Sequence, residues 1–341
     1  MARDQHIRRT LATLLNVTAE VPELGAVGTQ VHLPTRRGGL GLHSAIATGP
    51  AAHWGSWADA LPSLHERMPD FLETFRPAMV RLVVDGASLP PTAALRNLHE
   101  VALLLQSEGF SDLPTWSELL NNRTPTVDED DHTEPGQVRK GWQREATKHR
   151  DNHSYATYFS TLGSTDRARL RSCAGPNSAR WLSAIPFEKA LRFDCPTFRV
   201  AVLRRLGLPV EMLADTCEGC GANLDEMGYH RTTCMRSGRV QTRHKPLIQI
   251  WRRIFREAGI NISQRNTERT LATTHVRRSP DDRRRMDFLC PGVDGIYGGA
   301  PLFADVTMVS PLHGNGTPMP RSASEDGAAE RRAAGTCRLT D

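Results

Sequence analysis

Cys217, Cys220, His230 and Cys234 constrain the fold of this chain more than any other feature. They fall within eighteen consecutive residues, CEGCGANLDEMGYHRTTC, at the spacing C-x2-C-x9-H-x3-C. Three thiolates and an imidazole are the soft and borderline ligands that a tetrahedral structural zinc ion prefers, and a C-x2-C turn places two sulfurs on one ion. Gly219 and Gly221 flank Cys220 and suit a tight knuckle. A metal site is therefore expected here rather than reduced core thiols. Cys173, Cys195, Cys290 and Cys337 stand singly and read as small buried hydrophobes or surface thiols.

A basic run, RSGRVQTRHK, follows the last ligand at once. The net charge of the 341-residue chain is only +5, but residues 236–285 hold fourteen Lys and Arg against four acidic residues, a local excess of ten. Charge gathered in this way is the footprint of a surface that meets phosphates. Within it, PLIQIWRRIFREAGINI places Leu247, Ile250, Ile254 and Ala258 at helical spacing with Arg252, Arg253 and Arg256 between them. One packed face and one arginine face are what contact with a nucleic-acid backbone needs. Arg239, Arg243, His244 and Lys245 extend the candidate binding set towards the knuckle.

The expected fold is a mostly α amino-terminal region, then the zinc knuckle, then a small α/β domain. The expected boundaries are a helical region over 1–121, an acidic Pro/Gly linker over 122–141, a second helical region over 142–215, the knuckle over 216–235, the α/β domain over 236–312 and a disordered tail over 313–341. The first helix would bury Leu11, Leu14 and Leu15 and lead into an extended VHLP stretch; helices are expected near 43–61, 63–75 and 92–109, and the helix ending at LRRLGLP would bury Phe198, Val202 and Leu206. Gly38, Gly39 and Gly41 lack the Lys-Ser/Thr of a phosphate loop and the dinucleotide spacing, so no organic cofactor is expected. Asp128, Glu129, Asp130 and Asp131 read as solvated charge on the linker. No apolar stretch is long enough to span a membrane, and seven cysteines without framework spacing or a signal peptide point to a reducing compartment, cytoplasmic or nuclear.

Past the basic helix the sequence becomes strand-like, RMDFLC and then PLFADVTMVSPL. Asp287 and Asp305 sit one in each of these apolar runs, where a carboxylate is costly to desolvate unless a cation meets it. Two readings are open. The pair holds Mg²⁺ or Mn²⁺, which would polarise a phosphodiester and activate water; or Asp287 pairs with Arg284 or Arg285 while Asp305 caps a strand.

Read in order, LPTRRGGLGLHSA with AAHWGSWADALP, AGPNSARWLSAIP, LRRLGLP, the knuckle, RSGRVQTRHK, REAG and FADVTMVSPL resemble the carboxy-terminal part of the open reading frame of non-LTR retrotransposons that carry a restriction-like endonuclease. The resemblance covers residues 33–311. It implies a thumb-like region after the polymerase palm, a zinc-binding C-C-H-C cluster and a PD-(D/E)xK-type nuclease that nicks target DNA to prime reverse transcription, with element RNA as a further partner. It also implies that Asp287 and Asp305 bind the catalytic metal, that Glu257 joins them, and that Arg243 and His244 contact DNA.

Two departures bear on activity. No Tyr/Phe-x-Asp-Asp pair is present, so no polymerase activity is expected of this chain. The nuclease lysine is also missing: Thr307 stands two residues after Asp305, and the tail offers Arg331 and Arg332, which stay protonated and exchange protons poorly with water. The expected function is thus a retrotransposon-derived DNA-binding protein with a weak or inactive metal-dependent endonuclease. The alternatives are a non-enzymatic zinc-dependent nucleic-acid-binding module and an inactive, truncated fragment of an element.

Overall fold

The computed structural model describes residues 2–17, 27–70, 72–73, 93–121, 123–125, 141–175, 177–189, 192–210, 214–262, 287–290, 302–304, 306 and 308–324. The chain divides into two compact units, Met1–Leu208 and Pro209–Asp341. Among the described residues it is mostly helical, as expected.

The first unit is built on α1 (Ala2–Leu15), α2 (Gly28–His32), α3 (Ala45–Arg67), α4 (Ala93–Ser107), α5 (Trp116–Leu120), α6 (Trp142–Thr161), α7 (Ser164–Ser172), α8 (Arg180–Ser183) and α9 (Cys195–Leu206). Helix α3 is the spine. Ala51, Trp54, Ala58 and Leu61 recur at steps of three and four and are all buried, which gives one apolar stripe. Around it close Leu98 and Leu105 of α4, Phe110 of the loop that follows, Trp116 and Leu119 of α5, and Trp142 and Ala146 of α6. Trp54 is the centre: its ring lies 5.8 Å from Phe110, 5.9 Å from Trp142 and 6.3 Å from Trp116. A side chain packed this way costs about 3–5 kcal/mol to truncate to alanine.

The start of α3 is fixed by charge. The Ser44 hydroxyl caps it by accepting from the Ala47 amide at 3.1 Å, and Asp4 of α1 accepts from the Ser44 hydroxyl at 2.6 Å and the Ala45 amide at 2.9 Å. A carboxylate fed by a hydroxyl and by free amides at a helix N-terminus is stabilised in its charged form. The Ser44 hydroxyl, then the Ala45 amide, bring Asp4 down to about 2.

The glycine-rich turn has a structural role. Gln30, fully buried, donates to the Gly38 carbonyl at 3.0 Å and the Arg205 carbonyl at 2.9 Å. Arg205, also buried, donates to the carbonyls of Gly39 at 3.0 Å, Thr35 at 2.8 Å and Ser178 at 3.4 Å. Arg169 donates back to the Arg205 carbonyl at 2.6 Å, and Tyr158 to Gln30 Oε1 at 3.2 Å. Five segments distant in sequence thus satisfy one another's buried polar groups, each of which would cost about 1–3 kcal/mol if left unpaired. Gly39 is required because a Cβ there would stand 2.0 Å from the Leu33 carbonyl oxygen.

Several local expectations shift. Val31 and His32 belong to α2 rather than to an extended stretch, and Leu14 is 54% exposed while Leu11, Ala12 and Leu15 are buried. Helix α3 continues to Arg67, where a break at Met68 separates it from the next helical turn. Val202 and Leu206 are buried as expected, with Phe198 half-buried against Trp181. Of the expected linker, residues 126–140, including Asp128, Glu129, Asp130 and Asp131, lie outside the described residues, whereas Arg123 is fixed by Asp112 at 2.6 Å and Glu118 at 2.7 Å.

The second unit contains α10 (Tyr229–Thr233), α11 (Arg239–Glu257), β1 (Phe288–Cys290) and β2 (Leu302–Ala304). The strands pair antiparallel with Phe288 opposite Ala304, Leu289 opposite Phe303 and Cys290 opposite Leu302. Among the described residues this is the whole sheet, too little to define the expected α/β domain. Composition predicts a disordered tail from residue 313, but residues 313–324 form turns. These are held by the His313 amide to the Thr317 carbonyl at 2.8 Å and the Met319 amide to the Pro311 carbonyl at 2.9 Å, with Leu312 and Ser322 buried. Gly314 and Gly316 let this segment lie against Thr233 and Tyr229 of α10, where a Cβ would meet them at 2.8 and 2.9 Å.

Replacing Gly39 with alanine is expected to destabilise the first unit by about 2 kcal/mol or more, since the colliding atom is backbone. Gly163→Ala, with nothing within 4 Å of the added atom, should be nearly neutral. Urea denaturation followed by tryptophan fluorescence checks the difference.

Candidate metal centre and the basic helix beside it

The knuckle is built from short-range hydrogen bonds. The Gly221 amide bonds the Cys217 carbonyl at 2.8 Å, the Cys217 amide bonds the Ala222 carbonyl at 2.8 Å, and Thr216 bridges Asn223. Gly221 takes φ of 73°, the left-handed conformation that closes the turn. Gly219 is needed for a different reason: its Cα faces the returning chain, and a Cβ would stand 2.4 Å from the Ser237 amide nitrogen.

The second half of the ligand set comes from α10. Asp225 accepts from the Tyr229 and His230 amides, both at 2.8 Å, and so holds the first turn of the helix that carries His230 to Cys234. The four ligand atoms all lie within 4.8 Å of one another. Cys217 Sγ is 3.7 Å from Cys234 Sγ, Cys234 Sγ is 3.8 Å from Cys220 Sγ, and Cys220 Sγ is 3.2 Å from His230 Nε2. Metal–sulfur bonds of about 2.3 Å at a tetrahedral angle require sulfur–sulfur edges of about 3.8 Å. A disulfide would need about 2.05 Å. The cluster is therefore the shape of a tetrahedral centre and can bind a metal ion, with ligand chemistry compatible with structural zinc. The Gly219 amide, and then the Cys220 amide, favour the thiolate of Cys217 and lower it to about 6, which readies one ligand in the charged form that binds metal.

Helix α11 starts from this centre. Ser237 donates to the Cys234 carbonyl at 2.9 Å, Arg239 reaches back to Glu218 at 3.0 Å, and Arg243 donates to the Thr232 carbonyl. Two of the expected nucleic-acid contacts, Arg239 and Arg243, thus also tie the helix to the knuckle. Lys245, Arg253 and Arg256 are exposed; Arg253 ion-pairs with Glu257 at 3.3 Å, and Arg252 is half-buried.

The packed face of α11, whose residues are at most half-buried, differs from the expected one. Ile250 and Ile254 are 48% and 43% exposed, and Ala258 is exposed. Ile248 and Phe255 pack instead, with Ile260, Ile262, Phe288, Cys290 and Val306. The helix carries two apolar stripes, and the one facing the strands wins.

His244, expected to contact DNA, lies on that packed side. Its Nε2 is 2.7 Å from the Val306 carbonyl and 3.1 Å from Asp287 Oδ2. Both neighbours are acceptors, so Nε2 carries the proton and donates. Asp287 Oδ2 also accepts from the Val306 amide at 2.7 Å. Asp287 therefore meets a histidine and the Val306 amide, while Glu257, exposed and paired with Arg253, forms no part of this cluster. Asp305, Thr307, Arg284 and Arg285 lie outside the described residues, as do Arg331, Arg332 and Cys337. Cys290 is buried, as a small hydrophobe should be, and Cys195 is exposed. Sequence reasoning misses Asp225, although an acidic residue just ahead of a short helix is a recognisable capping signal.

Compared with protein-family profiles, curated proteins and solved structures, the chain gave no match. No helix among the described residues is long and apolar enough to cross a membrane.

Asp225→Ala should leave the ligands in place but weaken metal affinity by about tenfold, as removal of a group that orients ligands does. Competition of cobalt-loaded protein against a chromophoric chelator measures this, and unchanged affinity would remove the positioning role.

Proposed function

We propose that this chain is a zinc-dependent nucleic-acid-binding protein, related to the carboxy-terminal part of non-LTR retrotransposon proteins, in which α11 lies along DNA and the knuckle sets its direction. The observation that carries the reading is the direct mechanical link between the four-ligand cluster and a helix that opens a segment with an excess of ten positive charges. Lys245, Arg253 and Arg256 are the exposed contacts to phosphate; Arg239 and Arg243 serve the backbone and the knuckle together. Contacts of this kind supply affinity and orientation rather than sequence preference.

One observation favours a further reading of the same unit as a degenerate DNA endonuclease that nicks target sites. Asp287 is an acidic side chain in an apolar setting with one oxygen anchored by His244 and the Val306 amide, the kind of fixed carboxylate on which Mg²⁺ or Mn²⁺ would sit. With no lysine after Lys245 in the sequence, proton transfer to and from water lacks its usual group, so hydrolysis is slow or absent.

Folded protein should contain one equivalent of zinc by elemental analysis, and chelation should release the local fold and DNA binding together, because structural zinc contributes on the order of 10 kcal/mol to such a knuckle. Replacing Lys245, Arg253 and Arg256 together with glutamine should lower the slope of log affinity against log salt by roughly 0.9 for each phosphate that is no longer neutralised. Unchanged affinity and slope would remove α11 from the interface.

For the endonuclease, plasmid nicking in Mg²⁺ or Mn²⁺ should be barely above background and vanish in Asp287→Ala. Robust nicking that survives this substitution would place the chemistry elsewhere.

A further inference from the structure

Helix α11 carries a side chain that phosphate binding does not explain. Trp251 is 45% exposed and lies in an open apolar stripe with Ile250, 48% exposed, and Ile254, 43% exposed. Its ring is not loose. It leans on Phe255 at a centroid distance of 6.0 Å and 37°, and Phe255 in turn meets Phe288 edge-on at 5.3 Å and 66°. Phe288 is 2% exposed, in the core beside Asp287. The three rings form a ladder from the core to the surface, so the outermost is held in position before any ligand arrives.

We infer that Trp251 is a stacking platform for an unpaired base, and that the preferred ligand of α11 is single-stranded nucleic acid. This rests on the nucleic-acid reading of α11 given above and adds the state of the strand. Exposed cations alone would satisfy a duplex, whose base faces are hidden in the stack. An exposed indole next to branched aliphatic side chains on a basic helix suits a base that presents its face. Trp251 is followed directly by Arg252 and Arg253, and Lys245 and Arg256 are exposed on the same helix, so phosphates and an unstacked base can be held at once. The helix itself carries six Lys and Arg against Glu257, which favours a polyanion over an apolar protein partner for this stripe.

Fluorescence anisotropy with the zinc-loaded full chain tests this. Three labelled probes are compared: a thymidine strand of roughly 16 nucleotides, the upper end of a typical site, the same strand with abasic positions at its centre, and a duplex of equal length. The wild-type chain should bind the intact strand about tenfold more tightly than the abasic one, the scale of one stacked base. Trp251→Ala should erase that difference while duplex affinity changes less than about twofold, and Trp251→Phe should keep most of it. Because the abasic comparison alters the ligand and not the protein, it holds whether or not Trp251→Ala folds well. Equal wild-type affinity for intact and abasic strands, or a Trp251→Ala variant that keeps the intact-over-abasic preference, overturns the stacking role alone. Failure to bind any of the probes overturns the nucleic-acid reading itself.

Discussion

The second unit depends on a tetrahedron of side chains. Its buried apolar residues, among those described, are few: Val210, Cys217, Phe288, Cys290 and Leu312. So small a core buries too little surface to offset the entropy of ordering the chain. A metal ion held by Cys217, Cys220, His230 and Cys234 would make up the difference by tying two loops and a short helix at one point. The direction of α11 is a consequence, since the helix begins at Arg239, five residues after the last ligand, and its first turns are bonded to Glu218 and Thr232 of the knuckle.

The first unit solves the same problem by other means. Its core gathers aromatic and aliphatic side chains around Trp54, and its specificity resides in the polar hub of Gln30, Tyr158, Arg169 and Arg205. Arg205 is a buried cation surrounded by carbonyl dipoles, and burial pulls its guanidinium down from the ordinary value. The hub explains Gly38 and Gly39 without a ligand: their carbonyls are the acceptors for Gln30 and Arg205, and Gly39 has no room for a side chain. A glycine cluster that is read as a phosphate loop only by composition is here the floor of a hydrogen-bond network.

What is legible in the sequence follows from distance along the chain. The metal ligands are readable because all four lie in one short stretch, where spacing alone decides whether they can meet. The start of α3 near residue 43 is readable for the same reason, since its turn and cap are local. The packed face of α11 is not: Leu247, Ile250 and Ile254 and the alternative pair Ile248 and Phe255 are both helical stripes, and the choice between them is made by Phe288, Cys290 and Val306, which arrive from far downstream. His244 is readable as a polar side chain beside arginines but not as the partner of Asp287, which lies far along the chain. The ordered turns over 313–324 escape a sequence reading because their polar, glycine-rich composition is that of a tail; their order comes from α10, against which Gly314 and Gly316 lie.

These assignments meet on one helix. Alone, a strongly basic helix such as α11, nineteen residues long, is marginal in water, because its like charges repel and nucleation is costly. It is held at two places: at its start by the metal-binding knuckle, and along its middle by His244, Ile248 and Phe255 against the strand segment. Beside the anchoring face Ile250 and Ile254 are left to solvent, Trp251 is exposed at its rim, and Arg253 is displayed on the far side. The same two anchors that let the helix exist therefore select which of its stripes is free to recognise a ligand. Trp251, one turn before Phe255, sits at the rim of the packed face with its ring against that of Phe255.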